Sequence, residues 1–207
     1  MFELIRQDLL RCGPTRKERI REVAGSPAVW AVLTYRFRRW AYLARMPWPL
    51  GWVFKVVGFL SSWCSHITSN IQLPPTAAIG PGLYLPHTGY IVVSTRARIG
   101  CNCTVAHGVT IGHARGGASG KEGAPVLGDR VYVGPGAVII GPITIGDDAL
   151  IGAGAVVVKS VPPRAVVAGN PARVLSQTGS FDLVNYPGME SDPDRTASLA
   201  RIGTDPD

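Results

Sequence analysis

The sequence predicts a mainly β fold: a parallel β-helix preceded by an α-helical segment and followed by a polar tail. Three observations carry this. From Leu73 to Val157 an aliphatic residue returns every six positions, through Ile79, Leu85, Ile91, Ile99, Val105, Ile111, Leu127, Val133, Ile139, Ile145 and Ile151. Gly often follows that residue, as in Ile79-Gly80 and Ile145-Gly146, and a small or aliphatic residue such as Ala77, Val109 or Ala155 stands four places on. The 25 Gly and 17 Pro are therefore largely periodic, which reads as solenoid turns rather than disorder. A period of six fits neither a helix of about 3.6 residues per turn nor a lone strand. It marks a solenoid in which each hexapeptide forms one flat face.

Residues 1–70 read as helical. Pro27 suits the first position of a helix after Ser26, and no Gly or Pro interrupts the chain from Ala28 to Met46. Val29, Val32, Leu33, Phe37, Trp40 and Leu43 recur near helical spacing, with Arg36, Arg38, Arg39 and Arg45 largely between them. A second apolar stretch, Leu50 to Trp63, is interrupted by Gly51, Lys55 and Gly58. It is too short and too broken for a membrane span, so it reads as a packing helix or one lying on a membrane.

The net charge of +7 belongs to this segment: residues 1–70 hold 11 Lys+Arg against 4 Asp+Glu, and residues 71–207 hold 10 against 10. Three readings of that excess stand open: a solvated face, an acidic partner, or peripheral contact with an anionic membrane. No nucleic-acid motif accompanies it. The N-terminal residues lack the apolar run of a signal peptide, so a cytoplasmic location is expected, with the inner membrane face as its peripheral variant. Cys12, Cys64, Cys101 and Cys103 have no disulfide-framework spacing, and Cys101 and Cys103 are expected to point inward as small fillers.

Residues 71–175 form the repeat domain, a little over four coils. Two breaks interrupt its ladder. Ile91 and Ile99 are eight apart, which places two extra residues at a corner after Ile91. Ile111 and Leu127 are sixteen apart, ten more than one rung, so the chain leaves the coil in an insertion that includes the Gly-rich, flexible stretch His113 to Pro125. Loops on rigid scaffolds are where function concentrates. Residues 176–207 lose the period and read as a partly ordered tail.

Of four histidines, His87, His107 and His113 lie in the repeat, each two places after a ladder residue. His87 and His107 are one coil apart, so they stack on one face near the ~4.8 Å strand spacing. His113 falls one rung later, where the long loop departs. A neutral imidazole suits the removal of a hydroxyl proton, so one of the stacked pair is read as a general base. A zinc site of the γ-carbonic-anhydrase kind is the alternative chemistry. His107 and His113 are six apart, however, which puts them on different faces. A non-catalytic scaffold is the remaining alternative.

Four stretches, residues 77–93 (AAIGPGLYLPHTGYIVV), 99–112 (IGCNCTVAHGVTIG), 132–163 and 166–175, resemble the hexapeptide-repeat acyltransferases, specifically the serine acetyltransferase branch. The resemblance implies a left-handed β-helix, a homotrimer, acetyl-CoA as acyl donor in a cleft between neighbouring prisms, and no metal. It implies that His87 is the catalytic base, with His107 as its neighbour and Gln72 where the family has an orienting Asp. For acetyl-CoA it points to Gly112, His113, Gly134, Pro135 and Ala153 along the coil edges, with Lys159, Arg164 and Arg173 near the CoA phosphates.

The sequence departs from that branch at Pro86 and Gln72, where serine acetyltransferases carry Asp, and at Gly123 and Ala124, where they carry an Arg-His pair. These groups recognise serine. With them missing, the pattern looks more like bacterial exopolysaccharide O-acetyltransferases, so the expected acceptor is a sugar or lipid-linked glycan hydroxyl, with serine as the alternative. The chain ends Asp205-Pro206-Asp207 without the terminal Ile that docks into cysteine synthase, so no complex with that enzyme is expected.

Overall fold

The computed structural model describes residues 1–44, 47–116 and 121–202. The repeat wraps three parallel sheets around one core. The first contains Ile71–Gln72, Ile91–Val93, Thr110–Gly112, Val138–Ile140 and Val156–Val157. The second contains Ala78–Ile79, Arg98–Ile99, Val126–Leu127 and Thr144–Ile145. The third contains Thr104–Val105, Tyr132–Val133, Leu150–Ile151 and Val166–Ala168, closed by the antiparallel Arg173–Ser176. Register stacks like on like: Ile99 pairs Leu127, Val133 pairs Ile151, Ile139 pairs Val157. Each inward side chain is buried, a gain of about 1.5–3 kcal/mol per rung.

The Gly after the ladder residue answers to close approach between coils. A Cβ on Gly134 would lie 2.8 Å from both the Ala153 amide nitrogen and the Ile151 carbonyl oxygen.

Three sequence expectations change here. Val93, not Ile91, stacks on Ile111, so the eight-residue step runs from Leu85 to Val93. The two extra residues therefore lie in the corner that carries His87, where Gly89 and Tyr90 take positive φ (116° and 36°). Ile91 and Val93 are both aliphatic and both buried, so spacing alone did not separate them. Cys103 is buried as expected, but Cys101 is not fully inward: it occupies the corner position, two past Ile99, where side chains turn outward. The tail is ordered through residue 202. Phe181 and Val184 are buried, Ser180 donates to the Arg130 carbonyl at 2.6 Å, and a last helix spans Pro193–Ile202. Two isolated apolar anchors in a polar stretch leave no periodic signal. The terminal Asp205-Pro206-Asp207 lies outside the described residues.

Among the described residues four helices precede the coils: α1 (Phe2–Leu10), α2 (Arg16–Gly25), α3 (Pro27–Leu43) and α4 (Leu50–Ser69). Thr15 and Glu18 form a reciprocal capping box that starts α2. Arg45, counted among the basic residues of α3, lies outside the described residues. The helices cap the open end of the solenoid, whose first coil would otherwise present unpaired backbone groups. From α3, the Tyr35 hydroxyl donates to the Ala77 carbonyl at 2.8 Å and accepts from the Ile79 amide at 3.2 Å.

Arg36 is not part of a solvated basic face. It is 2% exposed, donates to both Asp8 oxygens at 2.7 and 2.9 Å, and reaches the Ile79 and Gly80 carbonyls. Among the described residues no helix is long and apolar enough to cross a membrane.

Candidate active site

One corner of the solenoid follows the third sheet. Residues two places past Leu85, Val105, Val133 and Ile151 occupy it, which puts His87, His107, Pro135 and Ala153 in one column. Strand pairing sets the rise per coil at about 4.8 Å. The His87 and His107 rings have centroids 5.8 Å apart and an interplanar angle of 70°. Both side chains are exposed in the single chain. Gly108 donates its amide to the Gly89 carbonyl, which ties the bulged His87 corner to the coil below.

Gln72 does not join them. It faces outward from the first sheet and lines a cavity of about 420 Å3 under α3 and α4, together with Arg38, His66 and Thr95. No hydrogen bond connects it to His87 among the described residues. The expected orienting contact is absent in the single chain because Gln72 pairs beside Val92, past the corner rather than at it.

His113 sits at the next corner, after the first sheet, as its spacing requires. It is held rather than free: its Nε2 lies 3.2 Å from Arg96 Nη1 and 3.5 Å from Glu122 Oε1, and Arg96 donates to Glu122 at 2.9 Å. The loop beyond it is more regular than expected. Ala114–Gly116 pairs antiparallel with Lys121–Gly123, and residues 117–120 of the loop lie outside the described residues. Gly123, where the resembled branch carries Arg, has φ of 149°, and a Cβ there would meet Pro142 Cβ at 2.8 Å.

The residues expected near the donor divide by corner. Gly134 and Pro135, and Ala153 one coil on, continue the histidine column. Gly112 and His113 lie across the first sheet, with Lys159 two places past Val157 on that same side. Arg164 pairs with Asp194 of the last helix at 3.8 Å, and Arg173 donates to the Pro171 and Ala172 carbonyls. The three cations therefore do not form one patch on the single chain. Sequence reasoning missed Tyr90, a 74% exposed aromatic three places after His87 in left-handed backbone. A non-glycine residue there stores strain of the kind found at functional sites. The signal available was its position inside the eight-residue step. Sequence reasoning also missed Arg96 and Glu122, whose juxtaposition depends on the hairpin.

Among the described residues no group of three or more His, Cys, Asp or Glu is placed to hold a metal ion. His107 and His113 stand at different corners.

Comparison with known proteins agrees with this architecture. A family profile described as bacterial transferase hexapeptide (six repeats) matches residues 124–159. The serine acetyltransferase of Mycobacterium tuberculosis is 36% identical over 189 residues, covering 87% of this chain and 78% of that protein. The structure of Neisseria gonorrhoeae serine acetyltransferase in complex with serine superposes with a TM-score of 0.70 at 29% identity, over 84% of this chain and 69% of the other. That of Brucella abortus serine acetyltransferase in complex with coenzyme A gives 0.69 at 30% identity, over 86% and 68%.

The solenoid is thus the left-handed β-helix of these transferases. The expectation of a sugar acceptor in exopolysaccharide synthesis is overturned: these relatives are serine acetyltransferases, and nothing in the matches supports kinship with exopolysaccharide enzymes or a glycan acceptor. Missing recognition residues were weak ground for reassigning the acceptor, because they occupy a few positions in a match that spans most of the chain. With a relative this similar along more than three quarters of its length, the chain belongs to the serine acetyltransferase family of hexapeptide-repeat acetyltransferases.

Proposed function

We propose that this protein is a serine O-acetyltransferase that transfers acetyl from acetyl-CoA to the hydroxyl of serine, a step that feeds cysteine biosynthesis. The observation that carries this reading is the 36% identity to a serine acetyltransferase across 78% of its length. The stacked histidine corner supplies the chemistry. His87 accepts the hydroxyl proton as the serine oxygen attacks the thioester carbonyl; the carbon–sulfur bond then breaks, and the imidazolium returns its proton to the departing thiolate. His107 packs beside that ring and restricts its orientation. Gln72 enters the site only if assembly or substrate brings it there, as an acceptor of a hydrogen bond and not as a counter-ion.

The donor lies along the column above the histidines, past Pro135 and Ala153, where Gly134 keeps the coil edge narrow. Gly112 and His113 line the far side, and Lys159, Arg164 and Arg173 reach the CoA phosphates across subunit boundaries. This arrangement needs neighbouring prisms, so the active form is a homotrimer, three times the 22.0 kDa chain, working in the cytoplasm where acetyl-CoA is supplied.

The test is thiol release from acetyl-CoA by the purified trimer with L-serine as sole acceptor. Serine-dependent release supports the assignment; release that does not depend on serine overturns the acceptor.

A further inference from the structure

Helix α4 is built inside out. Its inner side carries Gly58, Ser62, Ser65 and Ser69, small residues that let it lie close to α3; a Cβ on Gly58 would already stand 3.3 Å from Arg38 Cγ. Its outer side carries Trp52, Phe59, Leu60, Trp63 and Ile67, with exposures of 63%, 67%, 54%, 60% and 58%. At about 100° per residue these five fall within one continuous stripe. An ordinary surface helix shows the reverse arrangement, and an apolar patch of this size marks a docking surface.

The charge around the stripe identifies what fits it. Between Glu22 and Glu122 the sequence contains no Asp or Glu, so α3, α4 and the first two coils are free of carboxylates. One edge of the stripe carries Lys55, with Arg38, which is half-buried and donates to Ser62, and His66 beside it. At the other edge, the end of α2 (Ala24 and Gly25) borders a cavity of about 400 Å3 shared with Ser61, Cys64 and Thr68, without a charged side chain in its lining. The burial of Arg36 against Asp8 removes one cation from this face but leaves the others.

We propose that α4 docks on an anionic lipid surface, lying in the plane of the interface with its aromatic stripe at the acyl boundary and its flanking cations among the headgroups. Tryptophan at such a boundary, basic residues beside it and a helix that does not span are the features of interfacial helices. The same face of a second copy is a poorer occupant, because it would set Lys55 and Arg38 against their own kind with no carboxylate on α3 or α4 to offset them.

The experiment is flotation of the full-length protein with vesicles of phosphatidylcholine alone or with about 30 mol% phosphatidylglycerol, at low and high salt. Binding about tenfold stronger to the anionic vesicles, weakened by salt and accompanied by a blue shift of tryptophan emission, is expected. W52S/W63S should abolish flotation while light scattering shows an unchanged oligomer and acetyl transfer in solution persists. No preference for anionic vesicles, or equal flotation of wild type and W52S/W63S, overturns the proposal. A change of oligomeric mass in W52S/W63S also overturns it, and makes the face an interface between copies instead. None of these outcomes bears on the assignment of the acceptor.

Discussion

The His87 and His107 rings meet edge to face at adjacent coils, centroids 5.8 Å apart. Under the proposed function the pair divides its roles: His87 takes the proton, and His107 limits how its neighbour can turn. His107→Ala is expected to lower kcat about tenfold through loss of orientation. His107→Phe, which keeps an aromatic edge, should recover most of it without restoring a titratable group. If Phe is as damaging as Ala, His107 carries a proton itself.

Asp8 and Arg36 hold the helical cap on the first coil through a buried ion pair that also satisfies the Leu83 amide and the Ile79 and Gly80 carbonyls. Removing Arg36 leaves the buried Asp8 carboxylate with the Leu83 amide but no counter-ion, and takes the guanidinium donor from the Ile79 and Gly80 carbonyls. Arg36→Met should therefore cost about 3–5 kcal/mol in urea unfolding. Asp8→Asn combined with Arg36→Met should recover part of that loss, because the isolated charge is gone.

Restoring the family's Arg at the loop end is not expected to improve serine binding. At Gly123 any side chain adopts φ of 149° and meets Pro142, a strain of about 1–3 kcal/mol. Gly123→Arg should lower the melting temperature and leave KM for serine no better than wild type. A lower KM would show that the hairpin relaxes to present the guanidinium.

Burial pushes the Cys103 thiol up to about 12, whereas Cys64 lies exposed on α4. At about pH 8 the Cys103 thiolate is a negligible fraction, so iodoacetamide should label Cys64 and spare Cys103 in the native protein. Denaturation should expose Cys103 to the same reagent. Native labelling of Cys103 would mean the coil opens around it.

Much of the solenoid was legible because a ladder of single aliphatic residues is a one-dimensional signal: Ile99, Leu127, Ile145 and their kin announce themselves by count. The histidine stack followed from the same count. What the count missed shares a cause. Ile91 and Val93 both point inward, so spacing could not say which was the rung. Arg36 looked like its basic neighbours until Asp8, 28 residues away, came to meet it. Phe181 and Val184 anchor the tail singly, and the loop's hairpin pairs Gly-rich strands without an apolar face. Each depends on contacts distant in sequence. The acceptor was misjudged for another reason: a few absent side chains at Gln72, Pro86, Gly123 and Ala124 were weighed above the similarity of the whole chain.

The most direct measurement is the steady-state kcat for CoA release from acetyl-CoA and L-serine, wild type against His87→Ala, with circular dichroism and light scattering confirming that the variant keeps its fold and assembly. Serine-dependent turnover in the wild type, reduced at least about 100-fold in His87→Ala with little change in KM for acetyl-CoA, is the expected result. Turnover in His87→Ala near that of the wild type would contradict the assignment of His87 as the base.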